Sequence, residues 1–401
     1  MSDIVVIGAG QAGSSLVVKL RNLGHEGKIT LIGEEAAPPY QRPPLSKKYL
    51  LGQMELERMY LRPEAFYAEH DIALLTDQTA LSIDRAAKHV ETDKGRLAYD
   101  QLALTTGSIP RALPAAIGGD LGGVFTVRTL ADVDAMAPNF RPGARVLIVG
   151  GGYIGLEAAA VAALSGMQVT LIEMAERILQ RVAAPETSDY FRALHRAHGV
   201  DIREGIGLER LQGDGAVNGA ILSDGSTLPV DAVIVGIGIT PATGLAQTAG
   251  LDLENGIKTD ARGRTSDPAI WAAGDCASFP HQGERIRLES VGNAIDQAEL
   301  VAENMLGAGK DYAAKPWFWS EQYDTKLQIA GLNTGYDRIV TRGDGAEVSF
   351  WYYRGETLLA VDAMNDARAY MIGKRLIEAG KSPDPALIAD AGADLKPLLR
   401  A

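Results

Sequence analysis

The chain of 401 residues has a single cysteine, Cys276, so it has no intramolecular disulfide and no dithiol pair. That usage fits a reducing compartment, and a cytoplasmic location is expected. No apolar run is long enough to span a bilayer, which excludes a helical membrane anchor. Positive charge is in deficit: 39 Lys and Arg stand against 51 Asp and Glu, for a net charge of −12. This balance argues against nucleic acid and against anionic membrane surfaces as partners. No low-complexity tract, block of like charge or short-period repeat occurs. The first strand is expected from Asp3, so no leader segment is expected before it. What remains is an ordinary globular composition, 46% hydrophobic and 22% charged, at a length suited to roughly two to three domains.

What the chain does have is a glycine turn, twice. The first copy is IVVIGAGQAG, with Gly8, Gly10, Ala12 and Gly13. The second is VLIVGGGYIG, with Gly150, Gly152, Tyr153, Ile154 and Gly155. Each follows an apolar β-branched run and opens a helical pattern. The first glycine permits a tight turn, the second lets backbone approach a pyrophosphate, and the third lets helix pack on strand. A helix N-terminus behind such a turn offers unpaired N–H groups and a positive dipole end. An acid follows each copy at the distance that suits a ribose diol: Glu34 is 21 residues past Gly13, and Glu173 is 18 past Gly155. One such turn is weak evidence, because packing alone can require it. Two, each with strand, helix and acid in place, point to two dinucleotides and to hydride or electron transfer between them. Glu173 also repels a 2′-phosphate, which favours NADH over NADPH; Arg177 is the nearest cation.

Around these units the pattern is α/β. Residues 3–35 read as strand, helix, strand, and a proline-dense loop, AAPPYQRPPLSKKYLLG, leads into a short helix. Residues 97–107 read as one apolar strand, and a second βαβ unit starts at Arg145. It continues through a helix near 185–199 to a strand over 231–241; short strands follow over 257–275, then a helix from Val291 to Leu306. Past Lys315 the character changes to short strands separated by turns. SFWYYRGETLLAVDAM reads as a hairpin turning at Arg354–Glu356, with a helix over 366–380 behind it. This is an antiparallel α+β module, distinct from the parallel units before it.

Seven segments in this order resemble the FAD-dependent pyridine-nucleotide reductases: IGAGQAG, PPLSK at 43–47, TTG at 105–107, VGGGYIGLE at 149–157, AAGDCA at 272–277, ESVGNA at 289–294 and PWFWS at 316–320. Within that family the chain is most similar to the NADH-dependent ferredoxin reductases of the putidaredoxin reductase type. These serve haem-thiolate monooxygenases and ring-hydroxylating dioxygenases. The resemblance implies two Rossmann-like dinucleotide-binding domains and a C-terminal α+β interface domain, as in glutathione reductase. FAD would be bound by a discontinuous domain of residues 1–110 and 243–318, NADH by residues 111–242, and the acceptor would dock with the help of 319–401.

The resemblance also implies roles. Lys47 would sit by the isoalloxazine ring, and Glu157 would face it near the nicotinamide, the two forming an ion pair across the domain interface. Ordinary surface charges are the alternative. Gly8, Gly10, Ala12, Gly13, Glu34, Lys47, Ala80, Thr106, Gly107, Arg128, Asp275, Val291 and Trp319 would contact FAD. Gly150, Gly152, Tyr153, Ile154, Gly155, Glu157, Glu173 and Gly238 would contact NAD. Pro44 would shape the loop beside the flavin.

Disulfide reductases of the wider superfamily need a cysteine pair, and the peroxidase and oxidase branch needs one cysteine near the flavin. Here the corresponding loop has prolines, Ser46 and Lys47. Cys276 reads as a small packed residue, and His195 and His198, three apart on a helix, have no further ligands to make a metal site. Electrons must leave the flavin singly for an external acceptor, a 2Fe–2S ferredoxin. An acidic ferredoxin needs a local basic patch on an acidic reductase; Arg62, Lys315, Lys326, Arg368, Lys374, Arg375 and Lys381 are candidates. Glu299 departs from the family, which has a basic residue there. A monomer or weak homodimer is expected. The alternatives are a rubredoxin reductase, or an NADH-sensing flavoprotein of the apoptosis-inducing-factor type.

Overall fold

A computed structural model describes residues 2–399. It divides into two compact units. The first comprises Met1–Arg42, Glu55–Ile109 and Ile239–Pro316; the second comprises Pro43–Met54, Pro110–Gly238 and Trp317–Ala401.

The first unit is built on a five-stranded parallel sheet in the order Ile270–Ala272, Gln101–Leu104, Ile4–Ile7, Ile29–Ile32, Ile72–Leu75. Its central strands, IVVI and ITLI, are apolar except for Thr30 and buried at every position. That is the pattern of a parallel sheet covered on both faces. On one face the Gln11–Asn22 and Val291–Met305 helices pack Leu16, Val17, Leu20, Ala298 and Val301 onto Ile4, Val6 and Leu31. On the other, Ile83 and Val90 of a three-stranded antiparallel sheet meet Val5, Ile7, Leu102 and Leu104.

Two expectations change here. The strand read over 97–107 is two strands: Gly95–Ala98 closes the antiparallel sheet and Gln101–Leu104 enters the parallel one. Asp100 makes the break, its carboxylate accepting from Asp3 N at 2.7 Å while its own N–H donates to Asp3 O at 2.8 Å. The strand read over 231–241 likewise ends at Val235, because Gly238 turns the chain with φ 98°.

The second unit repeats the architecture. Its parallel sheet runs Asp201–Glu204, Gln168–Glu173, Arg145–Val149, Ala232–Val235, Val124–Phe125. The Tyr153–Leu164 helix follows the central strand and buries Gly155 to Ala162 almost continuously. The same unit contains a five-stranded antiparallel sheet, in the order Trp317–Gln322, Thr325–Gly331, Thr357–Met364, Glu347–Arg354, Arg338–Asp344. The expected hairpin turns at Gly355–Glu356. The Ala367–Glu378 helix covers this sheet, with Ile372 and Leu376 against Val361 and Trp351. The fold is therefore α/β, two Rossmann-like units with an antiparallel α+β module. Among the described residues no helix is long and apolar enough to cross a membrane.

Candidate dinucleotide and hydride-transfer site

At the first turn, Gly8 stands at φ 111°, and a Cβ there would lie 2.3 Å from Thr105 O. A Cβ on Gly13 would lie 2.0 Å from Gly8 O. Both glycines are demanded by the protein's own packing. Gly10 is different. Its backbone is extended (φ −95°, ψ −159°), and nothing lies within 4 Å of a Cβ placed on it. Gly10 is also the N-cap of its helix and supplies no side-chain bond to the first amides. Uncapped helical N–H groups behind an open glycine form a cradle for a phosphate. The residues present fit a dinucleotide.

Glu34, Thr105, Thr106 and Asp275 all follow the C-terminal ends of strands of the same parallel sheet. Thr105 Oγ1 donates to Gly8 O at 2.9 Å, and Thr106 Oγ1 to Ala242 O at 2.7 Å. Half-buried Asp275 accepts from Ser108 Oγ at 2.9 Å. Gly274 brings its backbone against Ala12, whose Cβ would be 3.0 Å from a Cβ on the glycine. Glu34 is exposed past the end of its strand. Val291 opens its helix behind the Ser290 cap, and Ala80 begins a strand of the antiparallel layer. Cys276 is fully buried and burial pushes its thiol up, as suits a packed residue.

The second turn reproduces the first. Gly150 stands at φ 109° with a hypothetical Cβ 2.4 Å from Gly236 O, and a Cβ on Gly155 would lie 2.0 Å from Gly150 O. Gly152 is again an extended N-cap with open space before it and no side-chain cap. The acid differs from that of the first copy. Glu173 accepts from Gly151 N at 2.7 Å and from Ala175 N at 2.8 Å, so it ties the turn together while facing it. Arg177 donates to Ala183 O at 2.8 Å and to Ser188, which occupies its guanidinium. Gly238 holds Arg111 N at 3.0 Å, and exposed Ile154 flanks the turn.

Lys47 and Glu157 meet in this unit. Pro43–Met54 groups with the second unit, so Lys47 and Glu157 lie in one compact unit. The loop becomes a π-helical turn, Leu45–Tyr49, in which Pro44 O accepts from both Lys47 N and Tyr49 N at 3.0 Å. A kink at Lys47 (φ −135°, ψ −110°) interrupts the turn. Lys47 Nζ lies 3.0 Å from Glu157 Oε1, and both side chains are largely buried, at 15% and 5% exposure. Burial raises the carboxyl of Glu157; Lys47 opposes it, as do hydrogen bonds from Ser320 and Ser46.

Strand alternation supplies the rest. In Trp317–Gln322, Phe318, Ser320 and Gln322 share one face. The Phe318 ring is 4.9 Å from that of Tyr153, and Ser320 Oγ donates to Glu157 Oε1 at 2.7 Å. Gln322 Oε1 lies 2.7 Å from His195 Nε2. Trp317 and Trp319 take the opposite face and stack at 5.5 Å. The Tyr153 hydroxyl is buried without a hydrogen-bond partner. Arg128 is half-buried and its N–H is held by Asp132 at 2.9 Å, beside the Thr129 capping box.

Sequence reasoning missed Ser320 and Gln322, and weighed His195 only as a metal ligand. Ser320 ends the PWFWS segment, and period-two alternation from Phe318 was the signal that could have found it. Of the expected basic patch, Arg368 is paired with Asp394 and Lys374 with Glu378. Lys374 also lies over the Trp317 ring at 5.9 Å. Glu299, the departure from the family, is 3.4 Å from Lys19.

Comparisons with known proteins agree with this geometry. The family model described as pyridine nucleotide-disulphide oxidoreductase matches residues 2–298, and that described as reductase C-terminal matches 317–399. The ferredoxin reductase subunit of 5,5'-dehydrodivanillate O-demethylase from a Sphingobium species is 43% identical, covering 100% of this chain and 98% of the relative. Putidaredoxin reductase of Pseudomonas putida is 41% identical, covering 100% and 97%. The reductase in a covalent putidaredoxin reductase–putidaredoxin complex superposes with TM-score 0.96 at 39% identity, covering 100% and 98%.

Proposed function

The chain belongs to the pyridine nucleotide-disulphide oxidoreductase family, and from that premise we propose that it is an NADH-dependent ferredoxin reductase. Its electrons would go to a 2Fe–2S ferredoxin that feeds a haem-thiolate monooxygenase or a ring-hydroxylating dioxygenase, in the cytoplasm. Relatives whose names and complexes pair them with ferredoxins support this reading. We assign FAD to residues 1–110 and 243–318, NADH to 111–242 and acceptor docking to 319–401. The observation that carries the reading is the buried Lys47–Glu157 pair one helical turn past the open Gly152.

FAD, when bound, supplies a hydride acceptor that can return electrons one at a time. The chain's own residues do the positioning. The amides behind Gly10 and Gly152 bind pyrophosphates, and Glu34 and Glu173 face ribose hydroxyls. Asp275, fixed by Ser108, accepts hydrogen bonds in the first site. Glu157 stays ionic beside Lys47 and offers a fixed acceptor to the nicotinamide carboxamide. Lys47 places a cation where negative charge grows on hydride transfer. Phe318 and Tyr153 exclude water around the pair. Near-attack alignment of donor and acceptor then provides most of the rate, and no residue has to give or take a proton.

The test uses the FAD-loaded protein with NADH and cytochrome c, with and without a 2Fe–2S ferredoxin. Ferredoxin-dependent reduction of cytochrome c is expected. Slow turnover with a long-lived complex of NAD and reduced protein would point to the sensor alternative. Lys47→Ala should change both the flavin potential and the rate of hydride transfer; unchanged values would overturn the role of the pair.

A further inference from the structure

The helix Pro185–Ala197 carries a histidine that the mechanism above leaves unused. His195 is fully buried, yet both of its ring nitrogens are engaged. Its Nε2 lies 2.7 Å from Gln322 Oε1, and its Nδ1 lies 3.1 Å from the Tyr323 hydroxyl. Gln322 Nε2 donates to Ser320 Oγ at 3.1 Å, and Ser320 Oγ donates to Glu157 Oε1 at 2.7 Å.

The direction of this chain follows from its carboxylate end. An ionised carboxylate only accepts, so the single Ser320 proton points at Glu157. Ser320 must then accept from Gln322, which turns the amide nitrogen toward Ser320 and the amide oxygen toward His195. The oxygen only accepts, so His195 carries its proton on Nε2 and its Nδ1 accepts from Tyr323. Four donors in series, Tyr323, His195, Gln322 and Ser320, therefore aim at one carboxylate, and each polarises the next. The Gln322 amide makes the series a poor proton conductor but a good aligned dipole.

Two independent features show that the far end is built. Tyr323 sits at φ 55°, a left-handed conformation that an aromatic residue rarely adopts, in the two-residue turn after Gln322. Its ring stacks on exposed His198 at 3.6 Å and 12°. The His195–His198 spacing thus clamps Tyr323 from two sides, and among the described residues no metal-binding cluster involves either histidine.

We propose that His195 is a positioning residue for hydride transfer: through Gln322 and Ser320 it fixes the orientation and ionic state of the Glu157 carboxylate. The inference rests on the assignment of Glu157 to the NADH site. The charged and titratable groups facing this chain are Lys47 at the Glu157 end and His198 and Tyr323 at the His195 end; the Ser46 hydroxyl lies 3.3 Å from Glu157 Oε2.

The experiment compares His195→Gln with His195→Asn in the FAD-loaded protein. Glutamine can place an N–H near the position of Nε2 and reach Gln322; asparagine is a bond too short. The readout is the rate of flavin reduction by NADH against pH, with FAD content and melting temperature as controls. In His195→Asn the acid limb of the profile should move up by about half a pH unit, because Glu157 loses an aligned donor. The plateau should fall about fivefold. His195→Gln should keep the wild-type limb. If both variants keep it, or both move equally, His195 has no positioning role and the inference is overturned. A wild-type protein whose flavin NADH does not reduce overturns the functional reading and this inference with it. A wild-type protein reduced normally, with the limb unmoved in His195→Asn, overturns this inference alone.

Discussion

At Gly8 and at Gly150 the backbone adopts the same conformation, φ 111° and 109°, and a Cβ would strike a carbonyl at 2.3 and 2.4 Å. Gly13 and Gly155 are equally matched, and Gly10 and Gly152 both face open space. The two turns part at what surrounds them. Glu34 is exposed past its strand, whereas Glu173 is bonded to two backbone amides of its own loop. The helix after Gly10 carries no carboxylate; the helix after Gly152 buries Glu157 against Lys47. The backbone that cradles a phosphate is fixed by sterics and so recurs. On the proposed assignment, what would distinguish a cofactor held throughout from one that must come and go lies in the side chains added around it.

The largest expected effect breaks the two copies apart. Glu157→Ala leaves the first turn untouched and the Lys47 ammonium buried without its partner. Flavin reduction by NADH should fall by about a hundredfold or more, while FAD content stays at the wild-type level. Stopped-flow absorbance reads the first and the flavin-to-protein ratio the second. Equal loss of both would mean that Glu157 supports the fold and not the transfer.

A milder pair addresses the cradles themselves. Gly10→Ala and Gly152→Ala introduce a methyl that meets no protein atom within 4 Å. Melting of the ligand-free protein should be unchanged. FAD retention should weaken by about tenfold in the first variant and NADH affinity by about tenfold in the second, about 1.4 kcal/mol each. Equilibrium dialysis and titration calorimetry check the assignment. If Gly10→Ala weakens NADH and spares FAD, the two sites are exchanged.

The acids come next. Glu173→Ala removes two hydrogen bonds to backbone amides and should destabilise the ligand-free protein by about 1–2 kcal/mol. Glu34→Ala, at an exposed position, should cost close to nothing. Chemical denaturation of the two variants separates them. Equal stability would show that Glu173 is held no more firmly than Glu34.

Both turns were legible in the sequence because their determinants are local: a β-branched run, three glycines and an acid within about 25 residues. The Lys47–Glu157 pairing was legible only through family resemblance, since 110 residues separate the partners. Its setting was not. Nothing local to PPLSK says that the segment packs with the second unit, because that depends on the surface the Tyr153–Leu164 and Leu130–Met136 helices present to it. The strand break at Asp100 was hidden because the apolar stretches LAY and LAL lie close on either side, and the cause is a hydrogen-bonded pairing with Asp3. His195 was dismissed as a ligand for want of companions. Its actual partners, Gln322 at the end of a strand and Tyr323 in the turn after it, lie more than 120 residues away and offer an amide and a hydroxyl, which no spacing rule picks out.

The smallest expected effect is a cancellation, and it again separates the units. Burial pushes His195 down to about 4 and Asp362 up to about 6, and both lie in the second unit. As pH falls from about 6.5 to 4, the unfolded chain protonates its exposed histidine first, so His195 withdraws stability over that window. Over about pH 6 to 4 the folded chain protonates Asp362 before the unfolded chain does, so Asp362 adds stability as His195 withdraws it. Each contribution is at most about 3 kcal/mol and their signs oppose, so the second unit should change little in stability between pH 6 and 4. In the first unit His25 and His281 are lowered by burial, and among its described residues no carboxyl is raised to oppose them. Acid should therefore loosen the first unit first, and hydrogen exchange at pH 4.5 should show its strands losing protection before those of the second. Asp362→Asn keeps an acceptor for Tyr352 and Thr187 while removing the titration. That variant should leave His195 opposed only by the raised carboxyl of Glu157, so that the second unit loses more stability below pH 6.5 than the wild type does. A second unit whose protection is as acid-sensitive in the wild type as in Asp362→Asn would show that the buried carboxyl offsets nothing.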